Sequence, residues 1–434
     1  MKFRISNKSF YNRHIDELKK YSKFEDTLHI VNSISQDKVN FDDCDSLIID
    51  FKKNDINQII SLTKLYDRVI LTDVIEVSND IYNLFKVLKK IIKPNGKLIV
   101  SSINTKWSLV LKAIEFFKVK DSSGSFSYIH NKKIKNIANG VGFEYIKHTS
   151  RQFIPFRLLF FGTFLNKILE STLFFLNFGI KTYIVFKNKN PNKCESTKTI
   201  IIPAKNEEGN LEPLISRIPR IEKYEIIIAC GQSIDKTLQI ALKIKEKETF
   251  FNVKVIEQTK TGKANAVWES LDIASGDLIA ILDADISVDP ETIPDFFDII
   301  DNNEADFVNG TRLIYAMEKG AMRFINLIGN RVFQGIIGFI IKENLTDSLC
   351  GTKVFKKSLI LKLKWWQEEY KVFDPFGDFD LLFTAAFTGE KIIEYPVHYR
   401  SRVYGNTQIS RFRDGFKLIK YLIKSYLIFN TSTR

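Results

Sequence analysis

The sequence predicts an α/β protein of two domains, and three observations point there. The chain has 434 residues, more than one domain usually holds. A polar stretch at 188–197, broken by Pro191, separates two β-rich runs at 182–186 and 199–202. On each side of it, short apolar runs alternate with helical patterns, the signature of βαβ units. The expected division is a first domain at 1–188, a linker at 189–196 and a second domain at 197–434.

Composition narrows the partners. The chain is 44% hydrophobic and 26% charged, ordinary globular proportions, and its formal charge of +13 calls for an anionic partner. A nucleotide, a phosphorylated lipid, an acidic membrane face or a nucleic acid would each serve, but no RNA-binding module or aromatic-basic signature supports the last. Cys44, Cys194, Cys230 and Cys350 are scattered without CxxC or companion His spacing, which suggests neither a disulfide framework nor a zinc site and suits a reducing cytoplasm. The opening residues lack the apolar core of a secretory signal. The most apolar stretch, 153–180, is broken by Arg157, Lys167 and Glu170, so short interfacial or buried helices are expected there and no spanning helix.

In the first domain, β-rich runs at 68–71 and 97–101 flank a helical pattern at 81–92, with Pro-Asn-Gly punctuation before the second run. The residues YDRVILTDVIEV followed by LKKIIKPNGKLIVSSINTKW, with 136–145 and the strand at 182–186, resemble the latter half of class I S-adenosylmethionine-dependent methyltransferases, a Rossmann-like fold. The resemblance covers roughly residues 5–188. A methyltransferase's first strand runs into a glycine-rich turn, and its second ends in an acid that holds the ribose. Here LHIVNSISQDKVN has no glycine and leaves little chain for a second strand. S-adenosylmethionine is therefore not an expected cofactor, and the domain reads as a degenerate one kept for folding, docking or acceptor handling.

The second domain carries the chemistry. Its first strand runs into Pro203-Ala-Lys-Asn206-Glu207-Glu, at the kind of sheet edge where open α/β folds bind nucleotides. The next, at 225–229, ends in Cys230-Gly-Gln-Ser233-Ile-Asp235-Lys-Thr237, and Thr261-Gly-Lys263 opens a helix. A lysine at a helix N-terminus opposes the helix dipole, which favours a functional role for Lys263. The strongest signal is an apolar strand at 278–282 that delivers Asp283-Ala-Asp285. Two carboxylates at the end of a buried strand need a counter-charge, and a divalent cation clamping a diphosphate supplies one.

In order and spacing these elements resemble family-two glycosyltransferases: P-x-x-N-E, a G-x-S-x-D-x-T turn and G-K-x-x-A, then the acid pair. Cys230 stands where the family has an acid that accepts a hydrogen bond from the base, and a thiol accepts poorly. Gly310-Thr-Arg312, Asp347-x-x-x-Gly351-Thr-Lys353 and Arg402-x-x-Gly405-x-Thr407 resemble elements of the dolichyl-phosphate mannosyltransferase branch, with Gln408 in place of a late lysine, so that one phosphate contact is either missing or taken over by Arg411. The resemblance implies a GT-A domain whose donor site contains Pro203, Asn206, Glu207, Cys230, Ser233, Asp235, Lys263, Asp283, Arg312, Lys353 and Arg402. It implies Mg²⁺ or Mn²⁺ on Asp283 and Asp285, Asp285 being catalytic as well. Asp378, before a helical run at 381–387, matches the acceptor-side base, and an N-capping acid is the competing explanation.

Two segments bear on the acceptor. Residues 320–342 form a helical pattern in which Asn326, Asn330 and Gln334 make a narrow polar stripe among apolar residues, fitting either a core or a membrane interface. Arg413, Lys417, Lys420 and Lys424 fall on one helical face, with Leu418, Ile419, Leu422 and Ile423 directed largely elsewhere. That face suits either solvent or an anionic membrane. The expected function is an inverting, metal-dependent transfer of a sugar from a nucleotide-sugar to a lipid-phosphate or other lipid-linked glycan acceptor, in the cytoplasm or peripherally on the inner face of its membrane. The alternatives are a bifunctional methyltransferase and glycosyltransferase or a non-catalytic scaffold.

Overall fold

The computed structural model describes residues 8–33, 39, 44–50, 56–78, 80–108, 110, 129–153, 169, 178–190, 192–315, 324–343, 345–371, 374, 376–402, 404 and 411–430. The chain divides into two compact α/β units, Met1–Asn190 with Asn430–Arg434, and Pro191–Phe429.

The first unit holds α1 (Lys8–Ser22), β1 (Thr27–Asn32), β2 (Asp45–Ile49), α2 (Asn57–Ile60), β3 (Tyr66–Thr72), α3 (Ile81–Ile91), β4 (Ile92–Ile103), α4 (Asn131–Val141), β5 (Phe143–Arg151) and β6 (Lys181–Asn188). Its sheet runs β2-β1-β3-β4-β6-β5, with β2, β1, β3 and β4 parallel and β6 antiparallel to both neighbours. Asp80 starts α3 by accepting from the Asn83 N–H at 2.9 Å, and Gly142 ends α4 at φ 92°, a conformation a Cβ disfavours. One expectation is corrected: a second strand exists. β2 pairs in parallel beside β1, and Asp50 follows it directly. The helices expected within 153–180 lie almost wholly outside the described residues.

The second unit holds β7 (Lys198–Ala204), α5 (Leu211–Arg217), β8 (Glu225–Cys230), α6 (Thr237–Lys247), β9 (Asn252–Glu257), α7 (Lys263–Ile273), β10 (Leu278–Ile281), α8 (Ile293–Asp301), β11 (Phe307–Thr311), α9 (Phe324–Ile341), β12 (Lys353–Lys356), α10 (Leu359–Tyr370), α11 (Phe379–Thr388), β13 (Ile392–Pro396) and α12 (Arg411–Asn430). The sheet order is β13-β11-β12-β10-β7-β8-β9. Strands β10, β7, β8 and β9 are parallel, and β12 runs antiparallel between β10 and β11. Strands covered on both faces read as unbroken apolar runs, and alternate residues feed two cores. Ile200, Ile202, Ile226, Ile228 and Ala280 pack with Leu214 and Phe296 on one face, whereas Ile201, Ile227, Ile279 and Ile281 pack with Trp366 and Leu382 on the other. Strand direction brings the carboxyl ends of β7, β8, β10 and β11 and the amino end of β12 to one edge.

Candidate functional site

At that edge the acid pair leaves β10. Asp283 is one-third exposed and pairs with the Lys263 Nζ at 2.6 Å, while Asp285 is buried and pairs with the Arg402 guanidinium at 2.6 Å. The turn that presents them passes through Ile286 at φ 53°, a left-handed conformation that crowds a β-branched side chain. Such strain costs about 1–3 kcal/mol and persists where the surroundings impose it. Here the Ser287 N–H donates to Asp285 Oδ1 at 3.0 Å and holds the turn.

Other segments close around this pair. At Gly351, before β12, an added Cβ would collide with the Asp283 carboxylate and the Lys263 ammonium, so a side chain here would displace that ion pair. Gly377, at φ 84°, lies against the backbone of Ala264 at the start of α7 and thereby sets Asp378 next to Lys263. Burial depresses the Lys263 pKa, but the carboxylates of Asp283, Asp378 and Asp285 outweigh it and hold the ammonium well above its ordinary value. Burial likewise pushes Asp283 up, and Lys263, Arg402 and Arg312 together bring it below the usual carboxylate range.

Asp378 holds the N-cap position of α11, but its side chain does not cap the helix. Its Oδ1 is buried with no hydrogen-bond partner among the described residues. Asp374 does the capping, accepting from the Phe379 N–H at 2.6 Å and the Asp380 N–H at 3.3 Å. Burial first, then the neighbouring Asp378 and Asp380, raise Asp374 well above the usual range. Asp380 is absorbed by Trp366, Gln367 and the Tyr421 hydroxyl, so Asp378 is left facing the site. Sequence reasoning missed Asp374, although a carboxylate a turn ahead of an apolar helix was its signal.

The loops after β7 and β8 staple each other. The Asn206 N–H donates to Ser233 Oγ at 3.1 Å, Asn206 Oδ1 accepts from the Ile234 N–H at 2.9 Å, and the Glu208 N–H donates to Asp235 Oδ2 at 3.2 Å. Asn206 has φ 56°, which asparagine tolerates better than most residues. Asn206, Ser233 and Asp235 thus shape the edge, and Pro203 lies within β7. Glu207 is buried, bonded to Asn210 at 2.5 Å, and raised by burial and then, against the Asn210 bond, by Asp285.

Three expected donor contacts sit deeper. Cys230 packs in the apolar core, where burial pushes its thiol up to about 11. Lys353 is fully buried, with Nζ donating to Asn309 Oδ1 at 2.8 Å and the Cys350 carbonyl at 2.7 Å. Arg312 forms a fork onto Asp347 at 2.6 and 2.9 Å.

The segment carrying Arg402 is tied down on both sides. Asp289 accepts from Arg400 at 2.6 Å and Arg217 at 2.8 Å. Tyr404 lies on Gly209 and donates to Glu208 Oε1 at 3.0 Å. Gly405, Thr407 and Gln408, and the side chain of Arg411, fall outside the described residues.

The donor set fits a hard divalent cation. It comprises carboxylate oxygens, and the described residues contain no group of three or more His, Cys, Asp or Glu able to hold a metal. Remaining ligands would come from phosphate and water, as Mg²⁺ favours. In the first unit Asp73 pairs with Lys181 and His14 Nδ1 meets the Tyr183 hydroxyl at 2.7 Å, while His14 Nε2, Asn32 Oδ1 and Ser101 Oγ are buried with no hydrogen-bond partner among the described residues. Burial lowers His14 to about 3 and raises Glu76 to about 7.

Comparison with known proteins bears on the second unit. Residues 199–363 match the family described as glycosyl transferase family 2. The dolichol-phosphate mannosyltransferase of Pyrococcus furiosus is 28% identical over 236 residues, 52% of this chain and 62% of that protein. The dodecaprenyl-phosphate galacturonate synthase of Rhizobium johnstonii is 28% identical over 179 residues, 40% of this chain and 52% of that one. The chain thus spans less than two thirds of either relative. Among solved structures, glucosyl-3-phosphoglycerate synthase from Mycobacterium tuberculosis in complex with Mn²⁺, uridine diphosphate and phosphoglyceric acid aligns with a TM-score of 0.41 at 19% identity, over 53% of this chain and 78% of that one. The second unit therefore contains a glycosyl transferase family 2 domain, at residues 199–363.

Proposed function

We propose that the second unit is an inverting GT-A glycosyltransferase that moves a sugar from a nucleotide-sugar donor to a polyprenyl-phosphate or other lipid-linked acceptor. One observation carries this reading: an acid pair whose two carboxylates are each held by a cation, at the sheet edge where the donor loops converge. The names of the relatives, acting on dolichol phosphate and dodecaprenyl phosphate, support the acceptor class.

Asp283 and Asp285 would hold Mg²⁺ or Mn²⁺, which supplies charge neutralisation of the departing diphosphate. Lys263 and Arg402 turn from the carboxylates to phosphate oxygens, Arg402 with the geometry for two parallel bonds. An acceptor oxygen forms its bond to the anomeric carbon as the bond to the diphosphate oxygen breaks on the opposite face, inverting the centre. The test is a thermal-shift screen of nucleotide sugars with and without each metal. A ligand at a hundred times its Kd stabilises by about 2.7 kcal/mol, so one donor with metal is expected to raise Tm by several degrees. No shift with any donor and metal overturns the reading. S-adenosylmethionine in the same screen is expected to give none. A shift would favour the bifunctional alternative, for which Asp50 after β2 would be the residue to examine.

A hydroxyl acceptor is the second reading, favoured by the buried, unpartnered Asp378 Oδ1. A phosphate acceptor, with a second pKa near 6, is already ionised at neutral pH and needs no base. On the phosphate reading, Asp378→Asn keeps kcat within about tenfold of wild type. A general base contributes roughly 10²–10⁴, so a loss of that size, with a new acid limb in the pH profile of the wild type alone, assigns a hydroxyl acceptor and makes Asp378 its base.

A further inference from the structure

Helices α9 and α12 present apolar rows to solvent in the second unit. On α9, Val332, Ile336 and Phe339 are exposed, while Ile337, Ile340 and Ile341 are buried. Two residues of its polar stripe turn inward: Asn330 Nδ2 donates to Asp347 at 3.0 Å and Gln334 Nε2 to the Leu345 carbonyl at 2.5 Å. On α12, Leu418 and Leu422 are buried, whereas Phe416 is 71% exposed, Ile419 46%, Ile423 59% and Leu427 49%. This reverses part of the expectation, since Ile419 and Ile423 share the outer surface with the lysines.

At ~100° per residue, Phe416, Ile419, Ile423 and Leu427 fall within roughly 80° of arc, and Lys420, Lys424 and Lys417 continue directly from that row on one side. On the other side Tyr426 stacks on Phe339 of α9, with ring centroids 6.1 Å apart and an 18° interplanar angle. The two helices thus join into one apolar surface with a basic border. Monomeric proteins rarely leave such a surface facing water, and no helix among the described residues is long and apolar enough to cross a membrane.

We propose that this surface docks on an anionic bilayer, its apolar rows entering the headgroup boundary and the lysine border meeting lipid phosphates. The charge fixes the occupant: an apolar partner surface alone would not call for a row of ammonium groups along one margin. The proposal deepens the lipid-linked acceptor reading but stands on residues outside the donor site, so the two can fail separately. Lys424 also donates to the Lys371 carbonyl at 2.6 Å, and is therefore left out of the test variants.

The experiment is co-sedimentation of the full chain with vesicles of phosphatidylcholine, alone or mixed equally with phosphatidylglycerol, across a salt series. Wild type is expected to pellet with the anionic vesicles and to be released progressively by salt. Lys417→Gln with Lys420→Gln should lower partition to anionic vesicles roughly thirtyfold at low salt, from about 1 kcal/mol per basic group. Phe416→Gln with Ile423→Gln should lower it at every salt concentration. Both pairs lie on the outer surface, and an unchanged thermal shift with donor and metal confirms that the donor site persists. Wild type staying in the supernatant with anionic vesicles at low salt overturns the proposal, as do variants that pellet like wild type. Wild type that fails to pellet but is dimeric, with Phe416→Gln/Ile423→Gln monomeric, overturns it in favour of self-association. Normal vesicle binding without any transfer to a lipid acceptor leaves docking standing and removes the acceptor reading instead.

Discussion

Asp285→Ala is expected to abolish sugar transfer, with kcat/KM down by about 10³ or more, while the unfolding midpoint stays near that of wild type. A divalent cation at a departing diphosphate is worth several kcal/mol of transition-state stabilisation, and each 1.4 kcal/mol is tenfold in rate. The fold should survive because Arg402, the partner left behind, has a side chain one-third exposed and can be hydrated. The remaining bond to the Ser287 N–H is local to the turn. Asp283→Ala should cost a similar factor, since Lys263 is then drawn toward Asp378 and Asp285, the other carboxylates that raise its pKa. Excess chelator should reproduce the loss in wild type, and calorimetry should show the donor bound weakly or not at all without metal. Full turnover in Asp285→Ala, or in wild type under chelation, sinks the metal assignment.

The parts of this site that were legible in the sequence are those set by strand ends. Apolar runs at 199–202, 225–229 and 278–282 gave the positions where β7, β8 and β10 stop, and a chain leaving the carboxyl edge of a parallel sheet has little choice of where to put its next residues. What periodicity could not supply was depth. Arg312 and Lys353 look like phosphate contacts in a motif, but Arg312, just past β11, forks onto Asp347, and Lys353 of β12 pairs with Asn309 of β11 beneath the surface. Cys230 alternates inward with Ile226 and Ile228, so the register of β8 takes it into the core. In α12 the lysine face was visible from spacing, yet a helix with two apolar stripes does not declare which one is buried. Only its packing, Leu418 and Leu422 inward against the second core, leaves Phe416, Ile419 and Ile423 outside. β2 was missed because its Asp45–Ile49 run is short and mostly exposed, lacking the apolar signal of a central strand.

Asp347→Ala is expected to cost about 3–5 kcal/mol of stability, a large share of the 5–15 kcal/mol typical of a domain. Asp347 is fully buried and accepts from the Arg312 fork, from Asn330 at 3.0 Å and from the Leu349 N–H at 2.9 Å. Truncating it strands a guanidinium whose side chain is 11% exposed, together with the donors from α9 and the loop before β12. Burial alone would raise the Asp347 pKa, but Arg312 outweighs it and holds the carboxyl below its unfolded value near 3.9. The stabilisation is therefore present above that value and lost as pH falls through the lowered one, so wild type and Asp347→Ala should converge in stability only in strong acid. Asp347→Leu with Arg312→Met should regain part of the loss, because no unpaired charge remains, though the Asn330 and Leu349 donors stay unsatisfied. Urea unfolding of the three variants measures this, with turnover read at a temperature where each is folded. If Asp347→Ala unfolds with wild type but turns over a thousandfold more slowly, the motif acts on the donor directly and its reading as the ionic support of the site is wrong.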